Sequence, residues 1–260
     1  MCKVYSIASM KGGVTKTTTS LNLATAFALM GKKVLAVDLD PQGSLSICAG
    51  VPNPDKLNYT TYTLLDTALN EDNVNDIDNH IIPCEKIDVI PCNIHLSAFE
   101  FNRGHEIGAE RALQTAIEPL REKYDIIIID TPPSLGILTA NALTASNGVI
   151  IPVTAQLLSA VGMKMLIKTI QKIQKHVNPH VVIEGVLMSM CDTRTNLYRD
   201  INRIMKETYS QKVKVFKAII PHSVKVGEAN LRQQSVLVYD EKSKPSQAYM
   251  GFAKELMQNG

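Results

Sequence analysis

The stretch that constrains this chain most runs from Val4 to Asn22 and reads VYSIASMKGGVTKTTTSLN. Val4 to Ala8 is a short apolar, β-branched run, which predicts a buried strand. Ser9 to Lys16 then crowds two glycines and two lysines into a tight connection. From Thr17 a helical pattern begins, with Leu21, Leu23, Ala24 and Ala28 at helical spacing. A strand, a glycine-bearing loop and a helix in that order aim bare backbone N–H groups at an anion such as phosphate, at the positive end of the helix dipole. The plainer alternative is a turn that only joins strand to helix. The loop's position directly after the first strand argues against it.

The loop departs from the general phosphate-binding pattern G-x-x-x-x-G-K-[ST]. Met10 stands where the first glycine belongs and Thr15 where the second does. What remains reads Lys11, Gly12, Gly13, Val14, Thr15, Lys16, Thr17, Thr18. In a P-loop, Lys16 reaches the β- and γ-phosphates and the Thr17 hydroxyl holds Mg²⁺. If the residue before Lys16 needs a positive φ, a β-branched threonine there costs on the order of 1–3 kcal/mol. A loop of this shape that has lost its nucleotide is therefore a second reading.

Two later strands end in carboxylates. Lys33 to Leu39 (KVLAVDL) runs into Asp38, Asp40, Pro41, Gln42 and Gly43. With the first strand and helix it describes a right-handed βαβ unit and hence a parallel sheet. Tyr124 to Ser134 (YDIIIIDTPPS) carries four consecutive isoleucines, the mark of a strand buried on both faces and central in such a sheet. Asp130 closes that strand at the carboxyl edge, where open α/β sheets bind ligands.

Lys86–Cys92, Gly148–Val153, Val181–Met190 and Val213–Ile220 read as further strands. Helices are expected over Thr63–Asn70, Ser159–His176, Arg194 to about Tyr209, and Ser246–Met257, with Gly31 capping the first helix. Ser97–Tyr124 is helical but broken near Gly104 and Gly108, and Asp72–Asn79 reads as acidic and exposed. The expected architecture is α/β: a doubly wound, mostly parallel sheet flanked by helices. With no Gly/Ser/Pro-rich linker, residues 1–260 are expected to form one domain.

At 260 residues, 45% hydrophobic and 20% charged, the chain can bury one large core. Its net charge of +2 is unevenly spread. From Arg194 onward 12 Lys/Arg face 6 Asp/Glu, giving +6, and the remaining 15 and 19 give −4. Such a basic third suits a polyanion, or is simply a solvated surface. Five cysteines without a C-x-x-C pair read as reduced thiols. Pro179 keeps His176 and His180 from sharing a helix face as metal ligands would. No apolar run approaches the ~20 residues that span a bilayer.

Residues Lys11–Thr18 resemble the deviant Walker A loop, K-G-G-x-x-K-[ST], of the ParA/MinD family of dimerising ATPases. DLDPQG, IIIIDTPPS, Asp192-Thr193-Arg194-Thr195-Asn196 and the segment from Ile220-Pro221 to Glu228-Ala229 follow in the order found in small Soj-type ParA proteins. The resemblance implies ATP and Mg²⁺ as ligands. Lys11, Lys16 and Asp40 are then the catalytic residues, with Lys11 crossing a homodimer interface to the partner's nucleotide and Asp40 orienting the attacking water. Residues Lys11–Thr18 hold the nucleotide, with Pro221 and Ser223 lining the adenine. Thr17, Asp38 and Asp130 serve the metal, and Thr131–Ser134 suits sensing of the γ-phosphate.

The resemblance also implies non-specific binding of double-stranded DNA by the ATP-bound dimer, through Arg194 and Lys225. Lys225 stands where arginine is usual, and His222 replaces another basic residue. A ParB-like partner would stimulate a slow hydrolysis, so that a plasmid or chromosome is moved by a nucleoid-associated, cytoplasmic protein. The first strand starts at residue 3 or 4, which leaves no N-terminal helix-turn-helix domain to expect. A MinD-like, membrane-cycling ATPase needs an amphipathic lysine-bearing tail. The sequence instead stops at Gln258-Asn259-Gly260, just after a helix the core needs, so no membrane partner is expected. Met10 and Thr15 motivate a third reading, a nucleotide-dependent adaptor without turnover.

Overall fold

The isoleucine run lies in the middle of the molecule. The computed structural model describes all residues except 71–73, 75, 210–212 and 259–260. Its strands are β1 (Lys3–Ile7), β2 (Val34–Asp38), β3 (Ile82–Pro83), β4 (Asp88–Ile90), β5 (Ile126–Asp130), β6 (Gly148–Val153), β7 (Val182–Cys191) and β8 (Val215–Pro221). They form one sheet in the order β3-β4-β2-β5-β1-β6-β7-β8, antiparallel only between β3 and β4. The expected doubly wound, mostly parallel α/β architecture is the observed one.

The helices are α1 (Lys16–Leu29), α2 (Ser44–Cys48), α3 (Thr61–Asn70), α4 (Leu96–Asn102), α5 (Ala112–Ile117), α6 (Ile137–Ala145), α7 (Leu157–His176), α8 (Asn196–Tyr209), α9 (Val224–Leu231), α10 (Val236–Tyr239) and α11 (Lys244–Gln258). Ile126 and Ile128 join Phe27, Tyr249 and Phe252 under α1 and α11, while Ile127 and Ile129 join Leu64, Leu113 and Leu138 under α3, α5 and α6. The strand is thus packed on both sides, which is why every residue in it is apolar until Asp130. At about 1.5–3 kcal/mol per buried isoleucine, the run is one of the larger local contributions to stability. A third cluster, with Val149, Ile151, Met163, Ile170 and Ile201, covers β6 and β7 with α7 and α8.

Gly31 ends α1 as expected. It sits at φ 81°, its N–H donates to Ala28 O at 2.9 Å, and Lys32 N–H donates to Phe27 O at 3.1 Å. That pair of bonds is the left-handed cap that glycine permits at little cost.

Several elements differ from the expectation. The region 97–124 breaks into α4, α5 and short 3-10 turns, as its glycines foretold, but α2, α6, α9, α10 and the two-residue edge strand β3 carry no periodic signal long enough to find. The acidic stretch 72–79 lies partly outside the described residues. Within it Asp76, Asp78 and Asn79 are exposed, but Val74 and Ile77 are buried, as is His80 just beyond it. His176 ends α7 and His180 follows Pro179, both exposed. The five cysteines are free.

Candidate functional site

The loop between β1 and α1 takes a shape set by two residues with positive φ, Gly13 (φ 72°) and Thr15 (φ 69°, ψ 27°). The condition attached to Thr15 is therefore met, and a β-branched residue occupies the left-handed region just before the helix. The turn aims the start of α1 outward. Among the described residues, the N–H groups of Gly12, Gly13, Thr15, Lys16, Thr17 and Thr18 donate to no acceptor, whereas Lys11 N–H bonds Ser9 Oγ and Thr19 N–H bonds Thr15 O. A cluster of unpaired donors at a helix N-terminus needs an external acceptor, and an anion is the natural one. The Lys16 ammonium is mostly buried, 3.5 Å from Lys11 O. Burial lowers its pKa, opposed by Asp130 and Asp40, so it too lacks a full counter-charge.

The carboxylates meet this loop at the carboxyl edge of the sheet. Asp130 is fully buried; its Oδ2 accepts from Thr17 Oγ1 at 2.6 Å and its Oδ1 from Ser20 Oγ at 2.8 Å. Asp38 stands opposite Asp130 in the β2–β5 register. Its Oδ2 accepts from Ser46 N–H at 2.8 Å and Ser46 Oγ at 2.7 Å, and its Oδ1 from Asp40 N–H at 3.2 Å. Burial, first of all, pushes Asp38 up to about 7 and Asp130 up to about 6. Two neighbouring carboxylates raised in this way are the donor chemistry that a hard divalent cation satisfies. Asp40 lies in the turn after β2, half-buried, with Oδ1 accepting from Gln42 N–H at 3.0 Å. In the Thr131–Ser134 loop the Ser134 hydroxyl is buried without a partner. The free amides, Lys16, the Thr17–Asp130 pair and the orphaned Ser134 hydroxyl together fit a phosphate-bearing ligand with a divalent cation.

On the far side of α1 lies a cleft of about 370 Å³ lined by Thr15, Thr18, Pro221, Ser223, Val226 and Asn230, among others. Pro221 and Ser223 are thus brought beside the loop, with Ser223 Oγ capping α9 through Lys225 N–H at 3.3 Å. Lys11 donates through Nζ to Gln156 Oε1 of the same chain, at the start of α7. The two residues assigned to DNA carry their own counter-ions. Arg194 is exposed and makes a two-point contact with Asp192 (2.9 and 2.8 Å), which pulls Asp192 down to about 2. Lys225 pairs with Glu228 at 3.1 Å and lies over the Tyr239 ring.

Sequence reasoning overlooked Ser20, Ser46, Gln156 and Asn230. Ser20 was findable, because it stands three residues after Thr17 on the same face of α1. Ser46, Gln156 and Asn230 reach the site only through the fold.

Comparison with known proteins agrees with this geometry. The family described as AAA domain (AAA_31) matches residues 2–183. The sporulation initiation inhibitor protein Soj of Bacillus subtilis (strain 168) is 40% identical over 260 residues, covering 100% of both chains. The chain belongs to the ParA/MinD family. Another ParA/MinD relative, the chromosome partitioning protein ParA of Caulobacter vibrioides (strain NA1000 / CB15N), is 36% identical over 259 residues, covering 98% of this chain and 94% of its own. Among solved structures, cobyrinic acid a,c-diamide synthase from Mycobacterium smegmatis with bound ADP and magnesium superposes with a TM-score of 0.86 at 33% identity, over 100% of this chain and 95% of that one. This ParA/MinD protein is thus a Soj-like member with the P-loop ATPase fold.

Proposed function

We propose that this protein is a partition ATPase that binds ATP at the β1–α1 loop, dimerises on it, and in that state binds DNA without sequence preference. The observation that carries the reading is the set of N–H groups on Gly12, Gly13 and Thr15–Thr18 that find no acceptor among the described residues, set beside Lys16 and the Thr17–Asp130 pair. Residues Lys11–Thr18 cradle the phosphates, and Pro221 and Ser223 flank the base. Lys16 neutralises the charge that spreads over the transferring phosphoryl group. Mg²⁺, held by Thr17 and Asp130 with Asp38 behind them, would supply further charge neutralisation there. Asp40 orients the attacking water; phosphoryl transfer asks for positioning more than covalent help.

Lys11 exchanges Gln156 for the nucleotide of a second copy, which makes the sandwich dimer dependent on ATP. Arg194 and Lys225 then contact phosphates, and a ParB-like partner speeds the slow hydrolysis that returns monomers. Residues 1–260 act as one domain, a reading supported by the single sheet that draws strands from Lys3 to Pro221 and by α11 packing back on α1. The protein works on the nucleoid, in the cytoplasm. Among the described residues no helix is long and apolar enough to cross a membrane.

The test is fluorescence anisotropy with an arbitrary labelled duplex. Binding should tighten with ATP and Mg²⁺ and weaken steeply with salt; an affinity indifferent to nucleotide overturns the reading. A second reading, an adaptor that binds nucleotide without turnover, is favoured by Thr15 at φ 69°. Phosphate release measured with and without DNA separates the two.

A further inference from the structure

The base-side cleft contains a half-buried carboxamide with no assigned work. Its walls are largely apolar, from Ile220, Pro221, Val226 and Tyr249. Three of the polar side chains along it are engaged elsewhere: Thr15 Oγ1 donates to Val14 O, Ser223 Oγ caps α9, and Tyr249 OH meets Thr19 Oγ1 at 3.5 Å. Among the described residues the Thr18 hydroxyl and the exposed His222 ring make no side-chain hydrogen bond, and neither does the Asn230 carboxamide. It lines the cleft from α9, on the face it shares with Val226 and Gly227, and among the described residues neither its Oδ1 nor its Nδ2 makes a hydrogen bond. A half-buried carboxamide in an apolar cleft, with donor and acceptor both free, is the arrangement by which pockets fix the orientation of a ligand.

We propose that Asn230 reads the 6-amino edge of adenine, which makes it a specificity-determining residue of this site. The inference rests on the ATP reading given above. A carboxamide presents a carbonyl beside an NH₂, and adenine's 6-amino group beside a ring nitrogen is the complementary pair, a donor next to an acceptor. Oδ1 would accept from the amine while Nδ2 donates to the ring nitrogen. The carbonyl then loses its partner whenever the base lacks that amine. In an apolar cleft an unpaired carbonyl is costly, and this gives discrimination rather than mere affinity.

The experiment compares equilibrium binding of ATP and of purine riboside triphosphate, the same nucleotide without the 6-amino group, to the full chain with Mg²⁺. The wild type should prefer ATP by about tenfold, the effect of one buried hydrogen bond. Asn230→Ala and the near-isosteric Asn230→Leu should bind the two nucleotides equally, with the loss falling on ATP. A residue that only supports the fold would weaken both nucleotides together and leave their ratio unchanged; that result in both variants, or loss of all nucleotide binding in both, overturns the assignment. If the wild type binds neither nucleotide, the ATP reading itself has failed. If it binds both equally, only the role of Asn230 has.

Discussion

Thr15 offers the sharpest test of the loop. It holds φ 69° and ψ 27°, and its hydroxyl donates to Val14 O. Thr15→Ala removes the hydroxyl bond, worth about 1 kcal/mol, but keeps the Cβ that the left-handed region disfavours. Thr15→Gly removes both. The left-handed region costs an L-residue roughly 1–2 kcal/mol, and the added chain entropy of glycine takes back about 0.5–1 kcal/mol. The glycine variant should therefore be more stable than the alanine variant by about 0.5–1 kcal/mol and close to wild type. In an ordinary helical position the order is reversed, with glycine about 1 kcal/mol worse than alanine. Urea titration of the three proteins without nucleotide reads the difference directly; in a thermal melt it amounts to about 1–4 °C for a chain of this length. Because the positive φ is present without ligand, the strain belongs to folding, and nucleotide affinity should shift less than about threefold, or 0.65 kcal/mol. An alanine variant more stable than the glycine variant would refute the reasoning.

Further outcomes follow from the same geometry. Thr17→Ala leaves the Asp130 carboxylate one donor short and should cost about 1.5–3 kcal/mol in urea unfolding, with Mg²⁺-dependent nucleotide binding lost in calorimetry. Asp192→Asn frees Arg194 from its two-point contact and should raise ATP-dependent DNA affinity up to about fivefold, the scale of an exposed ion pair. Arg194→Ala should lower the salt slope of binding by about one. Both are read by anisotropy. Burial lowers the pKa of His80, opposed by a hydrogen bond to Asp76 O and by the Asp76 charge. As pH falls below its unfolded value of about 6.5 the unfolded chain takes the proton first, so stability present above that pH is lost below it. The urea midpoint should fall less between pH 7.5 and pH 5 in His80→Gln than in the wild type.

The strands were legible because parallel strands buried on both sides are written as unbroken apolar runs: VYSIA, KVLAVDL, YDIIIID and GVIIPV each became one. The carboxylates were legible because each such run ends where the chain leaves the core, so that Asp38 and Asp130 had to emerge at one edge. Short elements were not. β3 is two residues long with a proline, and its antiparallel pairing to β4 reflects where the chain returns rather than any propensity. α9 and α10 are too brief for a period of 3.6 to show.

At the site, sequence alone determined the loop, its lysines, Thr17 and the two aspartates, since phosphate binding demands those residue types at fixed spacing. Only the tertiary structure decided that Ser46, eight residues beyond Asp38, would hold that carboxylate, that Gln156 would hold Lys11, and that Asn230 would line the cleft beside Pro221. The reason is physical. Spacing along one strand, loop or helix is set by backbone geometry and can be counted, whereas a contact between residues far apart in sequence depends on how helices from opposite ends of the chain settle on the same sheet.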